Sequence, residues 1–202
     1  KPMISKGMLE KAIKNAQYNV EHLAVYAEQG YPIVGCEPSC MLTIRDDYPD
    51  LIDDERAELV AKNTYIIEEF LVRLHENGEL NLPFFPPLEK GGRGDGNRKK
   101  ILLHGHCYQK ALIGTAPLIK LLKLPGYDVE EIDSGCCGMA GAFGYEKEHY
   151  EISMGIGAMR LFKAINSQNP PLPPFSKGGQ GEFEVVASGT SCRQQIADGT
   201  GK

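Results

Sequence analysis

Six cysteines, Cys36, Cys40, Cys107, Cys136, Cys137 and Cys192, are the residues of this chain with the greatest capacity for chemistry. Two are adjacent, in the stretch Asp133 to Gly144, where glycine recurs at 135, 138, 141 and 144. Thiolates are soft ligands that select iron-sulfur clusters, zinc or copper(I), and they form where metal or amide dipoles favour the charged sulfur. Cys107, a gap of 28 residues, Cys136 and Cys137, a gap of 54 residues, and Cys192 supply four thiols from three loops. Four is the number a [4Fe-4S] cluster requires. Neighbouring side chains diverge along a peptide, so an adjacent pair suits two irons of a cluster better than one tetrahedral ion. The interspersed glycines would let backbone amides approach and hydrogen-bond cluster sulfurs, the geometry that also makes anion nests.

Other readings of the same residues remain open. A lone cysteine such as Cys36 is most often a small buried residue. Cys40 sits in a Ser-Cys context that matches Cys192. His104 and His106, in His-Gly-His-Cys, could join Cys107 and Cys136 around zinc, which accepts mixed nitrogen and sulfur ligands. On a continuous strand both histidines would point one way and Cys107 the other. The glycines alone could cradle a phosphate, but neither G-x-G-x-x-G nor the P-loop lysine is present. A dithiol-disulfide cycle between Cys136 and Cys137 would need a strained bridge.

The elements that must position these residues follow from apolar periodicity. Leu9, Ala12, Ile13, Ala16, Val20, Leu23, Ala24 and Ala27 predict an amphipathic helix over 6–29 with Ser5 as a candidate cap. A short strand in Tyr-Pro-Ile-Val-Gly leads to Cys36. A helix is predicted over 54–77, capped by Asp53 or Asp54 and stopped by Gly78. Then come a strand ending at Cys107, a helix over 109–123, a strand in Tyr-Asp-Val-Glu-Glu-Ile-Asp, a helix over 145–165 and a strand ending at Cys192. Strands separated by helices imply an α/β layer with mainly parallel sheets, and all six cysteines fall in or just after strand ends, where such sheets carry chemistry.

Composition narrows the class. With 42% hydrophobic and 24% charged residues over 202 positions, the chain is of ordinary globular type. A net charge of -5, with Arg98, Lys99 and Lys100 the one basic run, offers no stripe for nucleic acid. No apolar run reaches the roughly 20 residues of a membrane span. The expectation is a cytoplasmic protein, able to dock at the inner face of a membrane through a partner. In a reducing compartment cysteines serve as ligands or redox groups more often than as disulfides.

Two internal repeats divide the chain. Residues 82–94 and 169–181 share Pro83, Pro86, Pro87, Lys90, Gly91, Gly92 and Gly94 with their partners and read as proline-glycine insertions, exposed and mobile. Residues 32–40 and 184–192 align without gaps, each a β-branched run ending in Ser-Cys. Upstream, Gly-Met-Leu-Glu-Lys at 7–11 echoes Gly-Tyr-Glu-Lys at 144–147. A duplicated architecture follows, with one whole unit and the tail of another, whose remainder would precede Lys1.

The stretches "EPSCMLTIRDDYPDL", "HGHCYQKAL", "DSGCCGMAGAFGYEKEHYEISM" and "VVASGTSCRQQI" resemble the cysteine-rich, or CCG-domain, iron-sulfur proteins. This group includes the iron-sulfur subunit of glycolate oxidase, the iron-sulfur part of flavin-linked D-lactate and related 2-hydroxy-acid dehydrogenases, and the anchor subunit of anaerobic glycerol-3-phosphate dehydrogenase. The resemblance implies two CCG modules: a truncated first one with its connecting helix over 1–81, an insertion over 82–96, and a second module over 97–202. It implies Cys107, Cys136, Cys137 and Cys192 as cluster ligands, Gly138 as part of the motif, and Cys40 as the last cysteine of the first module. Gly189 stands where the family's fifth cysteine would be, so a four-thiolate cluster is expected in place of a five-thiolate one. The implied function is electron transfer in a glycolate or D-lactate type oxidoreductase. FAD would sit on a separate domain or subunit, electrons would leave to a quinone or other acceptor, and substrate would not be oxidised by this chain alone. A zinc-stabilised binding domain and a non-functional fragment are the alternatives.

Overall fold

A computed structural model describes residues 1–80, 100–168 and 183–201. The two proline-glycine repeats, with the expectation that they are exposed and mobile, lie outside the described residues. The chain divides into two compact units, residues 1–73 and 74–202.

In the first unit, helix α1 (Leu9–Glu28) buries Ala12, Ala16, Val20, Ala24 and Ala27. Spacings of three and four put these small residues on one stripe, which packs with Tyr48, Ile52, Ala57 and Val60. The expected Ser5 cap is not formed: the N-cap position is Met8, and the Ser5 hydroxyl donates to the Pro2 carbonyl at 3.0 Å within the preceding turn. Strand β1 (Ile33–Gly35) leads to the short helix α2 (Pro38–Leu42), which runs on through a π-type turn at Thr43–Asp47.

The helix predicted over 54–77 is two helices with a strand between them. Helix α3 (Glu55–Lys62) begins at Asp54, whose carboxylate accepts the Arg56 N–H at 2.8 Å, as expected of a cap. Strand β2 (Thr64–Ile66) then pairs in parallel with β1, Ile33 opposite Thr64, before helix α4 (Ile67–Glu76) begins. Thr64 and Ile66 are β-branched and fully buried, so sheet pairing outweighs helical continuity there. Gly78 takes a left-handed φ of 72°, the stop predicted for it.

The second unit is a three-stranded parallel sheet in the order β4 (Asp128–Glu131), β3 (Lys100–His104), β5 (Phe183–Ala187). Ile101, Leu102, Leu103 and His104 are all buried, the unbroken run of a central parallel strand. Leu102, Ile132, Leu161, Phe162, Ile165 and Ile196 form the core with Cys137 and Cys192. Each such large apolar side chain stabilises the fold by about 1.5–3 kcal/mol on burial. The observed fold is thus α/β with mainly parallel strands, as the sequence predicts.

Several elements are shorter than predicted, and the differences shape the site. Strand β3 ends at His104, and Cys107 opens helix α5 (Cys107–Leu112). Gly114, at φ 74°, separates α5 from α6 (Ala116–Lys123) where one helix is predicted. Helix α7 (Tyr150–Met159) and helix α8 (Leu161–Gln168) replace the single helix expected over 145–165, broken at Arg160 with φ -135°. Strand β5 ends at Ala187, so Cys192 belongs to helix α9 (Thr190–Thr200).

Candidate metal centre

All three strands of the second sheet lead to cysteines beyond their carboxyl ends, in one loop and at two helix starts. After β3 the chain passes His104, Gly105 and His106, and His106 caps α5: its Nδ1 accepts the Tyr108 N–H at 3.2 Å. Leaving the strand at 105 breaks the alternation expected for the His-Gly-His-Cys stretch, so Cys107 turns toward the same centre as the histidines. The loop after β4 carries Cys136 and Cys137. Helix α9 after β5 carries Cys192 in its first turn.

The four sulfurs form one connected series. Cys107 contacts Cys136, Cys136 contacts Cys137, Cys137 contacts Cys192, and Cys192 meets His104. The adjacent pair therefore converges, contrary to the divergence expected of neighbouring side chains. Among the described residues, His104, Cys137 and Cys192 are all buried, with their ligand atoms within 4.8 Å of one another. Cys107 is exposed and Cys136 half-buried, so the series runs from solvent into the core.

Backbone amides face these sulfurs, as the glycines suggest. The Gly138 N–H donates to Cys136 Sγ at 3.3 Å. Ala140 donates a second backbone hydrogen bond to Cys136, Met139 donates one to Cys137 and Tyr108 one to Cys107. Gly138 adopts φ 104°, and a Cβ there would stand 2.1 Å from the Ser153 carbonyl oxygen. No other residue type fits that position without displacement of α7. Ala140, at φ 41°, is the one non-glycine with positive φ among the described residues, which places backbone strain directly beside the cysteine pair.

Without metal, the series shares protons unevenly. Hydrogen bonds from Cys107 and Cys137, joined by the two amides, hold the Cys136 thiol far below its ordinary range. The same sulfur contacts push Cys107 and Cys137 up, and burial adds to both shifts. Cys192 is lowered to about 5 by the hydrogen bond from Cys137, against a burial penalty and with help from His104 and His106. Two depressed thiols alternating with two raised ones are what sulfurs brought together without an ion must do.

The residues fit a metal centre by their donor chemistry. His104 is 0% exposed, and its buried Nε2 has no nitrogen or oxygen partner. Buried polar atoms are almost always satisfied, so a buried nitrogen that has only thiols beside it suits a site completed by an ion. Gly189 also has a steric role: a Cβ there would stand 2.4 Å from His106 Cδ2 and 3.2 Å from Cys192 Sγ.

Several supporting residues escape a reading of the sequence alone. Lys110 reaches from α5 to the cysteine loop, donating to the Gly135 carbonyl at 3.0 Å and to the Ser134 carbonyl. Its position three residues after Cys107, on the same helix face, is the available signal. Gln195 donates to the Ser153 carbonyl at 2.9 Å and hydroxyl at 3.1 Å, tying α9 to α7 behind Cys137. Nothing in local sequence marks that pair, which is 42 residues apart.

Cys36 and Cys40 lie in the first unit. Cys36 is exposed, which corrects the expectation that it is a buried small residue: it lies between the end of β1 and the start of α2. Cys40 is exposed too, but its local structure matches that of Cys192. Glu37 and Gly189 are the N-cap positions of α2 and α9, and Cys40 and Cys192 are each the third residue of the helix. The Glu37 carboxylate caps α2, accepting from the Ser39 hydroxyl at 2.6 Å and the Ser39 N–H at 3.4 Å.

Comparison with known proteins gives the same direction. The chain is 29% identical over 198 residues to one of the subunits of the anaerobic glycerol-3-phosphate dehydrogenase of Escherichia coli K12, a match that covers 96% of this chain and 43% of that protein. It is 28% identical over 200 residues to D-2-hydroxyglutarate dehydrogenase of the same organism, covering 97% of this chain and 17% of the relative. The Pantoea ananatis D-2-hydroxyglutarate dehydrogenase is 28% identical over 193 residues, covering 95% of this chain and 16% of the relative. The chain thus spans less than half the length of these relatives. No family model matches, and no solved structure does. Over nearly its whole length this chain is similar to parts of two kinds of dehydrogenase, and the resemblance read from its cysteine motifs is borne out.

Proposed function

We propose that the second unit is an iron-sulfur electron-transfer module, with Cys107, Cys136, Cys137 and Cys192 as the ligands of a [4Fe-4S] cluster. The observation that carries this reading is the continuous series of four sulfurs from one loop and two helix starts, with backbone amides directed at them. With an imidazole beside them the donors number more than the four that a structural zinc takes, which favours a multi-iron centre over a single ion. Bound there, the cluster would supply one-electron chemistry. The chain's own share is to set its potential: thiolate ligation, amide hydrogen bonds and burial of Cys137 and Cys192 are the levers.

The relatives named above support a wider role as part of a dehydrogenase. The module would take electrons from a flavin carried on another domain or subunit and pass them toward a quinone or other acceptor. The substrate would be a 2-hydroxy acid or a comparable alcohol, oxidised at the flavin and not on this chain. Cys40 would be a ligand of a first centre, although residues 1–73 contain only Cys36 beside it. Among the described residues no helix is long and apolar enough to cross a membrane, so this part would reach a membrane acceptor only by docking.

An anaerobic absorption spectrum with dithionite titration tests the reading. A broad visible band that bleaches on reduction is expected. A colourless protein with stoichiometric zinc would replace the cluster with a structural ion, and its removal would then unfold the loops.

A further inference from the structure

Two histidines flank Cys192, and their hydrogen bonds differ. His104 Nδ1 lies 2.7 Å from Ser134 Oγ, which also has the Ile132 carbonyl at 3.4 Å. When the Ser134 proton is directed at that carbonyl, Oγ accepts from Nδ1–H and the lone pair of His104 is on Nε2, the form that a ligand requires. His106 is the reverse: its Nδ1 accepts the Tyr108 N–H, so in the neutral ring Nε2 carries the proton.

Besides Ser134, the His104 ring meets the Cys192 sulfur. Nε2 is fully buried and has no nitrogen or oxygen partner, and the ring's ligand nitrogen is within 4.8 Å of Cys137 and Cys192 sulfur. Metal-ligating histidines characteristically donate their other ring N–H to a neighbouring oxygen, which fixes tautomer and orientation. Ser134 plays that part here, itself 5% exposed and held by the turn after β4.

We propose that His104 Nε2 is a metal ligand of this centre, a nitrogen donor beside the Cys137 and Cys192 thiolates, and that His106 is not a ligand. This deepens the cluster reading and rests on it. The space above Gly189 is taken by the His106 ring, so no side chain from 189 can serve. A neutral imidazole in a thiolate set raises the reduction potential relative to an all-thiolate site, because the reduced cluster then carries less negative charge. His104→Cys would add a thiolate and lower the potential.

Pulsed electron paramagnetic resonance on the reduced, anaerobically purified full chain reads this directly. The unmutated chain labelled with ¹⁵N-histidine needs no folding assumption: replacing ¹⁴N by ¹⁵N should change a strong nitrogen coupling to the cluster. His104→Ala should abolish that coupling, while His106→Ala should retain it. A reduced cluster with no strong histidine coupling, or one lost in His106→Ala and kept in His104→Ala, overturns the inference and leaves the cluster reading intact. Protein with no cluster signal and no iron overturns the cluster reading, and this inference with it.

Discussion

Gly138→Ala is the most informative single substitution in the cysteine loop. At φ 104° an L side chain is held in a region it rarely adopts, and its Cβ would meet the Ser153 carbonyl oxygen at 2.1 Å and Gln195 Nε2 at 3.0 Å. Backbone strain of this kind costs about 1–3 kcal/mol. Forcing a methyl against main chain in a packed region adds about 1–3 kcal/mol. The sum, about 2–6 kcal/mol, would shift the urea midpoint down by about 1–3 M at a slope near 2 kcal/mol/M. Relief of the clash must move either the loop or α7, so the 3.3 Å contact from the Gly138 N–H to Cys136 Sγ is lost as well. Gly135→Ala is the control: the same loop and the same added methyl, with nothing within 4 Å. It should stay within about 0.5 kcal/mol of the parent. Urea unfolding with iron determination on both variants is the assay. Equal stability and equal iron in Gly138→Ala and Gly135→Ala would refute the argument that this loop is shaped by its contact with α7.

Three further outcomes follow from the same geometry. Gly189→Cys should lower stability by about 1–3 kcal/mol by displacing the His106 ring, and it should cost less when introduced into a His106→Ala chain, which has already lost the α5 cap; thermal unfolding of both singles and the double variant decides this, and an equal cost in both backgrounds would contradict it. In metal-free protein Cys136 should alkylate at nearly the same rate at pH 6 and pH 8. Its lowered pKa leaves the thiolate present across that window, whereas an ordinary thiol gains about tenfold per pH unit. Peptide mapping after iodoacetamide treatment shows which behaviour holds. Deleting residues 82–94 should leave fold and metal content unchanged if the repeat is an insertion; a collapse of solubility or iron content would make it structural.

Much of this architecture is legible in sequence, and where the reading fails the causes are physical. The apolar stripe of α1 and the Asp54 cap are local signals, and both are present in the fold. Parallel strands with cysteines beyond their carboxyl ends follow from strand and helix alternation. Strand β2 is hidden because Thr64 to Ile66 sits inside a helical periodicity; its pairing with Ile33 to Gly35 is a contact about 30 residues away in sequence, which no local window registers. The predicted ends of β3 and β5 are too long because nothing in His104 to Cys107 or Ala187 to Cys192 marks the turn by which the chain leaves the sheet to open α5 and α9. At the site, the residue types name the chemistry. What sequence spacing cannot supply is the direction of each sulfur, or the positive φ of Gly138 and Ala140 beside the cysteine pair.

The central claim rests on what the four sulfurs hold, and iron and acid-labile sulfide content answers that most directly. Anaerobically purified protein should contain about four of each per chain, the complement of one [4Fe-4S] cluster. Both should fall sharply in Cys136→Ser and Cys137→Ser, with Cys36→Ser unaffected. Stoichiometric zinc in the parent, or iron and sulfide retained in both serine variants, would contradict the assignment of this centre as an iron-sulfur site.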